Sequence, residues 1–319
     1  MTSQPAVRAK LKDRLAAAGY IAGWKIMRFL PERLATRLFD VIADIASDHG
    51  RGLDQLRRNL SRVVGPENVS RELVRGSMRS YMRYWKEAFR LPTMSADPAL
   101  FARLMDGVEG EEYFNASTAR GKGVILALTH SGNWDMAGTF LVNHWGPFTT
   151  VAERLRPEAL FDAFVDYRHS LGFNVIPHVS KESGATAPFA VLKQTLEDGG
   201  VVCLLAERDL SRTGITVDFF GEEANMAAGP AVLARETGAA LHVVHSWFTE
   251  DGWGLSCSPP LEVEDPQTTT QAMADIFARN IAQHPQDWHM LQPVWNSDVL
   301  RRKRLRSQQA ARSLKQRKA

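Results

Sequence analysis

Apolar side chains recur at helical spacing over the first hundred residues of the chain. The series run over residues 34–45, 53–63 and 73–89, with leucine, isoleucine and aromatic residues three or four positions apart. Pro92 follows the third series, at a place where a helix usually ends. We therefore expect residues 1–105 to form a helical N-terminal region that packs on the following domain and includes its membrane-facing part.

The rhythm changes after residue 105, where short β-rich runs begin to alternate with helical stretches. The runs with strand character are 124–129, 149–151, 174–177, 201–206, 215–219 and 241–247, and the helical stretches include 134–144, 157–170, 186–198 and 229–237. Such alternation is typical of a largely parallel sheet that helices cover on both faces. The sequence thus predicts the α/β class, with a largely parallel central sheet flanked by helices in a core of residues 106–300.

The charges divide the chain into an acidic body and two basic ends. The formal net charge is +3, but residues 1–37 carry eight Lys or Arg against two acids, and residues 301–319 carry nine against none. The part between them holds 22 basic and 34 acidic residues. We interpret residues 301–319 as a basic C-terminal tail that is either solvated or bound to anionic lipid. Nothing else in the sequence resembles a nucleic-acid-binding module, so no nucleic acid is expected as a partner.

No segment of the sequence has the length and apolar character of a membrane span. The longest stretch without a charged residue, 136–152, is broken by Pro147 and polar residues, whereas a span needs roughly 20 mostly apolar residues. Residues 15–24 are apolar with basic flanks, and within an amphipathic helix they would lie in a bilayer interface or pack on the domain. Cys203 and Cys257 lie far apart, which favours a reducing compartment over a disulfide framework.

Polar residues follow two of the predicted strands, at the sheet edge where α/β proteins bind ligands. One strand delivers His130 into a turn of small residues, and Asp135 comes at the start of the next helix. Another strand is followed directly by Glu207, Arg208 and Asp209. Arg208 and Asp209 could equally form an ion pair that holds the strand end. These two strand ends carry the candidate chemistry.

The spacing of His130 and Asp135 is weak support when taken alone, because roughly half a match is expected by chance in a chain of this composition. His49 and Asp54 have the same spacing, but they lie among glycines between two predicted helices with no strand before them. We interpret that second pair as accidental. The setting of His130, a strand end followed by a helix N-terminus, fits either a catalytic histidine or a hydrogen-bonded structural one.

Other reaction classes find less support in the sequence. Ser131 lacks the preceding glycine of the Gly-x-Ser-x-Gly elbow found in α/β hydrolases. The sequence shows no glycine-rich phosphate loop, which disfavours nucleotide chemistry. His242 and His245 would point to opposite faces of one strand, which disfavours shared metal ligation. We expect no metal and no cofactor.

Residues 130–135, with the sequence HSGNWD, resemble the HX4D motif of the glycerolipid acyltransferase superfamily, in a setting similar to its lipid A late-acyltransferase branch. Several separate blocks are similar to the actinobacterial phosphatidylinositol mannoside acyltransferases, at residues 151–155, 164–168 with 171–173, 206–210, 217–221, 236–240 and 287–293. The resemblance covers about residues 15–297, so it is far more specific than HX4D alone. The stretch 177–187 is longer than the corresponding loop of that family.

The resemblance implies an acyl-CoA-dependent O-acyltransferase that moves a long acyl group, typically palmitoyl, to the 6-hydroxyl of the mannose on the 2-position of inositol. It also implies a peripheral enzyme on the cytoplasmic face of the plasma membrane. Its partners would be acyl-CoA as co-substrate, a phosphatidylinositol mannoside and an anionic membrane surface. The family's catalytic histidine and aspartate match His130 and Asp135, and its functional glutamates and arginine match Glu153, Glu207 and Arg168.

His130 is the expected general base, because a sugar hydroxyl must lose its proton as it attacks a thioester carbonyl. A carboxylate must orient the imidazole; either Glu207 or Asp135 could do so, and we favour Glu207. Backbone N–H groups near Gly132 and Asn133 are candidate donors to the oxygen that becomes negative.

Three further residues are expected to bind substrate. Glu153 and Arg168 would line a polar acceptor pocket, because carboxylates hydrogen-bond sugar hydroxyls and arginine binds phosphate. Arg208, beside Glu207, would contact substrate at the same sheet edge. No metal is required, since a thioester is already activated.

Two alternatives stand beside this hypothesis. A lipid A-type secondary acyltransferase would acylate a hydroxyacyl chain, but residues 287–295 lack the basic ending typical of that branch. A non-catalytic lipid-binding protein would depend on the basic ends alone, yet His130, Asp135 and Glu207 are all present.

Overall fold

The computed structural model of the protein describes residues 19, 23, 26–95, 97–105, 107–152, 158–177, 188–209 and 214–316. The helices of these residues that we label are α1 (Glu32–Ala46), α2 (Asp54–Val64), α3 (Arg71–Met94), α4 (Pro98–Met105), α5 (Glu111–Thr118), α6 (Trp134–Trp145), α7 (Glu158–Ser170), α8 (Pro188–Glu197), α9 (Gly229–Thr237), α10 (Pro266–Gln283) and α11 (Asn296–Gln316). The strands are β1 (Val108–Glu109), β2 (Val124–Leu128), β3 (Thr149–Ala152), β4 (Asn174–Pro177), β5 (Val201–Leu205), β6 (Ile215–Phe219), β7 (Glu222–Met226), β8 (Ala240–Phe248) and β9 (Trp253–Cys257).

Seven strands form one sheet in the order β1-β9-β8-β2-β5-β3-β4. Strands β8, β2, β5, β3 and β4 run parallel, whereas β9 pairs antiparallel with β8 and carries β1 parallel to itself. Every residue of the central strand β2 is buried, in keeping with its continuous apolar run. The predicted α/β fold, with a largely parallel sheet and a helical N-terminal region, is confirmed.

Alternate strand residues face two apolar layers, as the pleat of a strand requires. On one side, Ile125 and Val202 pack with side chains of α8, α9 and α10. On the other side, Leu126 and Cys203 pack with side chains of α6, α7 and the end of α3. His242 and His245 are both buried in β8. Apolar layers therefore cover the sheet on both faces.

The predicted strand at 215–219 forms, but it does not join the large sheet. β6 instead pairs antiparallel with β7 in a separate hairpin. The turn between them places Phe220 and Gly221 at φ values of 56° and 78°. Two consecutive positive φ values suit a two-residue hairpin, whose twist then matches that of its strands. The hairpin turn therefore decides which strand this segment pairs with. The strand–helix alternation in the sequence, which predicts a strand of the main sheet here, is wrong for this segment.

Helix α3 is longer than predicted. It begins after Ser70, whose side chain accepts a hydrogen bond from the N–H of Leu73, and it continues through Pro92 to Met94. A proline inside a helix costs one N–H donor. The neighbouring Leu91 is fully buried in the layer beneath, which keeps this last turn against the core. Packing therefore overrides the stop signal of the sequence.

The basic C-terminal end is helical over its described part, because α11 extends from Asn296 to Gln316. Among the described residues, no helix is both long and apolar enough to cross a membrane. The amphipathic segment expected over residues 15–24 falls largely outside the described residues.

Candidate active site

Neighbouring parallel strands bring His130 and Glu207 together. Strands β2 and β5 pair in register, with Leu128 opposite Leu205, and the N–H of Ala206 donates to the carbonyl of Leu128. His130 and Glu207 each lie two residues beyond that pair. Because both strands end at the same edge of the sheet, their next residues meet there.

A single carboxylate oxygen of Glu207 holds both the backbone and the ring of His130. Glu207 Oε1 accepts the His130 N–H at 2.8 Å and lies 2.6 Å from His130 Nδ1. The Glu207 side chain is 1% exposed, whereas that of His130 is 34% exposed. A carboxylate against Nδ1 favours the proton on that nitrogen and leaves Nε2 as the acceptor nitrogen of the neutral ring. This is the arrangement of a histidine base with its orienting carboxylate.

The Glu207 carboxyl is held in its charged form. Burial works to raise its pKa, but the charge and the hydrogen bonds of His130 outweigh burial and keep the pKa below its ordinary value. An ionised Glu207 can stabilise the imidazolium that forms when His130 takes a proton.

Asp135 belongs to a different pair. It lies in the first turn of α6, where its Oδ1 accepts from Arg168 Nε at 2.9 Å and its Oδ2 accepts from the Tyr84 hydroxyl at 2.9 Å. Burial works to lower the pKa of Arg168, but the facing Asp135 carboxylate outweighs it and raises that pKa above its ordinary value. The structure therefore brings Glu207, and not Asp135, into contact with His130.

The turn after His130 is clamped by a later segment of the chain. The N–H of Gly132 donates to the carbonyl of Asp287 at 2.9 Å, and the N–H of His289 donates to the carbonyl of His130 at 2.7 Å. Gly132 has a φ of 55°, and a Cβ there would lie 2.6 Å from backbone atoms of Ser246, so only glycine fits. The Gly132 N–H is thus engaged in this structure and would have to leave Asp287 to donate to a reacting oxygen. Asn133 stays as the candidate.

A buried polar chain lies behind this clamp. Ser80 Oγ donates to Asp287 Oδ1 at 2.6 Å and lies 2.8 Å from His289 Nε2. Burial and the nearby His130 lower the pKa of His289 to about 3, so this second histidine is neutral at ordinary pH. It holds the turn in place and is unsuited to take up a proton itself.

Sequence reasoning missed the contribution of α3 to the site. Ser80, Tyr84 and Glu87 lie on one edge of this helix and contact the 287–289 segment, Asp135 and Asn133, respectively. All three are buried, although serine and glutamate usually lie at the surface. The signal that could have found them is a polar series at helical spacing, 80, 84 and 87, on a face that otherwise carries apolar residues.

An apolar cavity lies beside the two strand ends. Its wall includes Leu128 and Leu205 at the ends of β2 and β5, and Trp134, Asp135 and Arg168 at its polar side. Most of its remaining lining is apolar, with Leu126, Phe140, Phe148, Phe173, Val244 and Leu255 among it. Trp134 also contacts the His130 ring edge to face, with centroids 5.5 Å apart. Trp134 therefore contacts the His130 ring and also lines the apolar cavity.

Other predicted site residues lie elsewhere. Arg208 donates from Nη1 to Gln292 Oε1 at 3.1 Å, at the rim of the sheet edge. Glu153 lies outside the described residues, and so does nearly all of the stretch 177–187. Within the described ranges, no group of three or more His, Cys, Asp or Glu side chains could hold a metal ion.

Comparison with known proteins identifies the family. The model of the bacterial lipid A biosynthesis acyltransferase family matches residues 9–297. A phosphatidylinositol mannoside acyltransferase of Mycolicibacterium smegmatis is 51% identical over 303 residues, which are 94% of this chain and 97% of that protein. A protein of the same name from Mycobacterium tuberculosis is 52% identical over 295 residues, covering 90% and 92% of the two chains. The resemblance drawn from the sequence is thereby confirmed. The chain is an O-acyltransferase and belongs to the bacterial lipid A biosynthesis acyltransferase family.

Proposed function

We propose that this enzyme transfers a long, palmitoyl-like acyl group from acyl-CoA to the mannose 6-hydroxyl of a phosphatidylinositol mannoside. The observation that carries the proposal is the His130–Glu207 pair, with its partly exposed imidazole, next to an apolar cavity. Relatives that bear the name phosphatidylinositol mannoside acyltransferase, similar over nine-tenths of the chain, support the acceptor.

In the proposed reaction His130 is the general base. Its Nε2 takes the proton of the mannose hydroxyl while the hydroxyl oxygen attacks the thioester carbonyl carbon. Glu207 stabilises the imidazolium through Nδ1–H, at the 2.6 Å contact seen in the structure. The tetrahedral intermediate then expels the CoA sulfur, which takes the proton from Nε2, and an ester remains on the sugar. Base catalysis of this kind is commonly worth about 10² to 10⁴ in rate.

The apolar cavity is the proposed site of the acyl chain. Its lining is dominated by aliphatic and aromatic side chains, and burial of each CH₂ group stabilises a bound chain by about 0.8 kcal/mol. A donor chain held there would present its thioester at the polar side of the cavity, where Trp134 and Asp135 lie. This supports a long-chain acyl-CoA as the donor and requires no further cofactor.

Arg168 is proposed to contact the acceptor phosphate. Its Nε and Nη2 face Asp135, at 2.9 and 3.5 Å, and no described residue is bonded to its Nη1, which is the nitrogen we assign to the ligand. Glu153 is proposed to bind sugar hydroxyls, and Arg208 to bind substrate at the rim. In this proposal Asp135 fixes the arginine, and Glu207 serves the base.

We also propose that the enzyme is peripheral on the cytoplasmic face of the plasma membrane. The outer face of α1 supports this, because Leu34, Leu38, Val41 and Ile45 are exposed there at helical spacing. The described part of α11 adds exposed cations. The fraction of protein that sediments with acidic vesicles should fall as salt is added. Binding that depends on neither lipid charge nor salt would contradict the proposed electrostatic attraction to the membrane.

The function is tested with purified protein, radiolabelled palmitoyl-CoA and three acceptors. A phosphatidylinositol mannoside should be acylated on mannose, whereas phosphatidylinositol without mannose should not, because a polar pocket can discriminate by about 10⁴. A lipid A precursor is the third acceptor, chosen because the family model carries that name. If the precursor is acylated and the mannolipid is not, the acceptor proposal fails while the role of His130 stands.

A further inference from the structure

Asn133 caps the helix that starts beside the reacting histidine, and both ends of its amide are engaged. Its Oδ1 accepts from the N–H of Met136 at 2.9 Å, and its Nδ2 donates to Glu87 Oε2 at 2.7 Å. The residue is 2% exposed. The start of α6 is therefore tied to α3 through one side chain.

Glu87 is the buried centre of this connection. Its Oε2 also accepts from Trp253 Nε1 at 2.8 Å, and its Oε1 accepts from Arg83 Nε at 2.8 Å. Arg83 in turn donates to the carbonyls of Thr249 and Gly252. The carboxylate thus joins α3, the start of α6 and β9.

A buried carboxylate makes this junction stiff. Taking a charge out of water is costly unless each oxygen has donors, so a shift of Asn133 would leave Glu87 Oε2 short of one partner. Tyr84, one turn earlier on α3, holds Asp135 in the same way from its hydroxyl. Two contacts from one helix edge therefore hold the N-cap Asn133 and, in the first turn of α6, Asp135.

We propose that Glu87 is a positioning residue for acyl transfer. Through Asn133 it sets where α6 begins, and so how the cavity wall at Trp134 and Asp135 stands relative to the His130 ring. It touches no substrate in this account. The inference rests on the proposed function, because it concerns the alignment of a base with an acyl donor held in the cavity.

Two variants that each remove one donor from the same Glu87 oxygen provide the test. Asn133→Ser keeps a capping hydroxyl for α6 but is too short to reach Glu87, and Trp253→Phe keeps the ring but removes its N–H. We expect Asn133→Ser to lower kcat about tenfold with little change in the KM for palmitoyl-CoA, since misplacement by about 1 Å can cost up to about 10² in rate. Trp253→Phe should keep kcat within about twofold of wild type, although its melting temperature should fall about as much as that of Asn133→Ser.

A charge exchange gives the second arm of the test. Asn133→Asp retains a good helix cap but sets a second carboxylate against Glu87, and we expect kcat to fall about 10²-fold. Adding Glu87→Gln supplies an amide donor to that aspartate and should recover about tenfold of the loss. Recovery is partial because an Asp–Gln pair does not reproduce the geometry of the original Asn–Glu pair.

Several results would overturn the inference. These are an unchanged kcat for Asn133→Ser, a fall in kcat for Trp253→Phe that matches it, or a double variant no better than Asn133→Asp. Each variant is also measured by CoA thiol release without acceptor, where water replaces the sugar. The same ratios of variant to wild-type rate are expected in that assay. Wild-type protein that releases CoA but acylates no mannolipid would contradict the proposed function, while these ratios still decide the role of Glu87.

Discussion

Two histidine–aspartate pairs with the same spacing lie in different surroundings in this molecule. His130 follows a buried strand, and its ring contacts the buried Glu207. His49 lies in the turn after α1 at a φ of 49°, exposed, with its N–H donated to the carbonyl of Asp44. Asp54 starts the next helix and is also exposed.

The difference shows that spacing alone carries no chemistry. The carboxylate that contacts the His130 ring follows the neighbouring strand, and the aspartate of the motif is engaged by Arg168 and Tyr84 instead. What distinguishes the His130 pair is a strand end in register with a second strand end. A motif of this kind is therefore best judged by what the sheet places next to it.

The largest expected effect separates the two histidines directly. His130→Ala should lower kcat for acyl transfer by about 10³-fold or more, because His130 is the general base of the proposed reaction. His49→Ala should leave kcat near the wild-type value. The measurement is transfer of a labelled acyl group by both variants under saturating substrates, and equal activity of the two would remove the distinction between the pairs.

Glu207→Gln is expected to have the next largest effect. The amide keeps the size of the side chain but cannot stabilise an imidazolium, so kcat should fall by about 10²-fold while KM changes little. Glu236→Gln is the matched control, because that carboxylate is 42% exposed and bridges Lys193 at the surface. A loss confined to the acceptor KM would instead make Glu207 an acceptor-binding residue.

The surroundings of the two motif aspartates, Asp135 and Asp54, should contribute differently to the stability of the protein. Arg168→Ala leaves Asp135 as a buried charge without its cation, which should lower the free energy of unfolding by about 3 kcal/mol and raise the acceptor KM. Asp54→Ala changes an exposed carboxylate and should stay within about 0.5 kcal/mol. Denaturant titration of both variants measures this. Similar stabilities would show that the Asp135–Arg168 pair contributes nothing.

The smallest expected effect is the pH dependence of stability that the buried histidines cause. Burial and His284 lower the pKa of His245 to about 3, so the unfolded chain takes up its proton below about pH 6.5 while the folded chain does not. Stability should therefore fall as pH is lowered, by about 2 kcal/mol for this residue between pH 6.5 and 5.

His245→Phe should reduce that loss, whereas His49→Ala should leave the slope unchanged. Denaturant titrations at pH 6.5 and 5 give the comparison. His242, His284 and His289 have lowered pKa values as well and contribute with the same sign, so the difference between variants is the informative quantity. Identical slopes for wild type and His245→Phe would contradict the burial argument.

Much of the fold was predictable because short apolar runs and helical periodicity are local signals. The strand at 174–177 and the helix at 229–237 have the predicted bounds. The hairpin of β6 was misplaced, since its pairing depends on the turn at Phe220 and Gly221. Helix α3 passes Pro92, since a tertiary contact outweighs a local breaker.

The site was predictable only where its residues come directly after a predicted strand. His130 and Glu207 follow apolar runs, so both could be found, and their contact follows from strand order. Glu87 and Tyr84 lie inside a long helix, where a polar residue normally faces water, and only packing shows that they meet Asn133 and Asp135. The engagement of the Gly132 N–H by a distant carbonyl has no sequence signal at all.

The central claim is that His130 is a base oriented by Glu207, and chemical rescue tests it most directly. His130→Gly opens a space beside the carboxylate that added imidazole can fill. We predict that imidazole raises kcat for acyl transfer by at least about tenfold when Glu207 is present, and far less when Glu207 is replaced by Gln. Wild-type activity of His130→Gly without imidazole, or equal rescue in both backgrounds, would contradict the account.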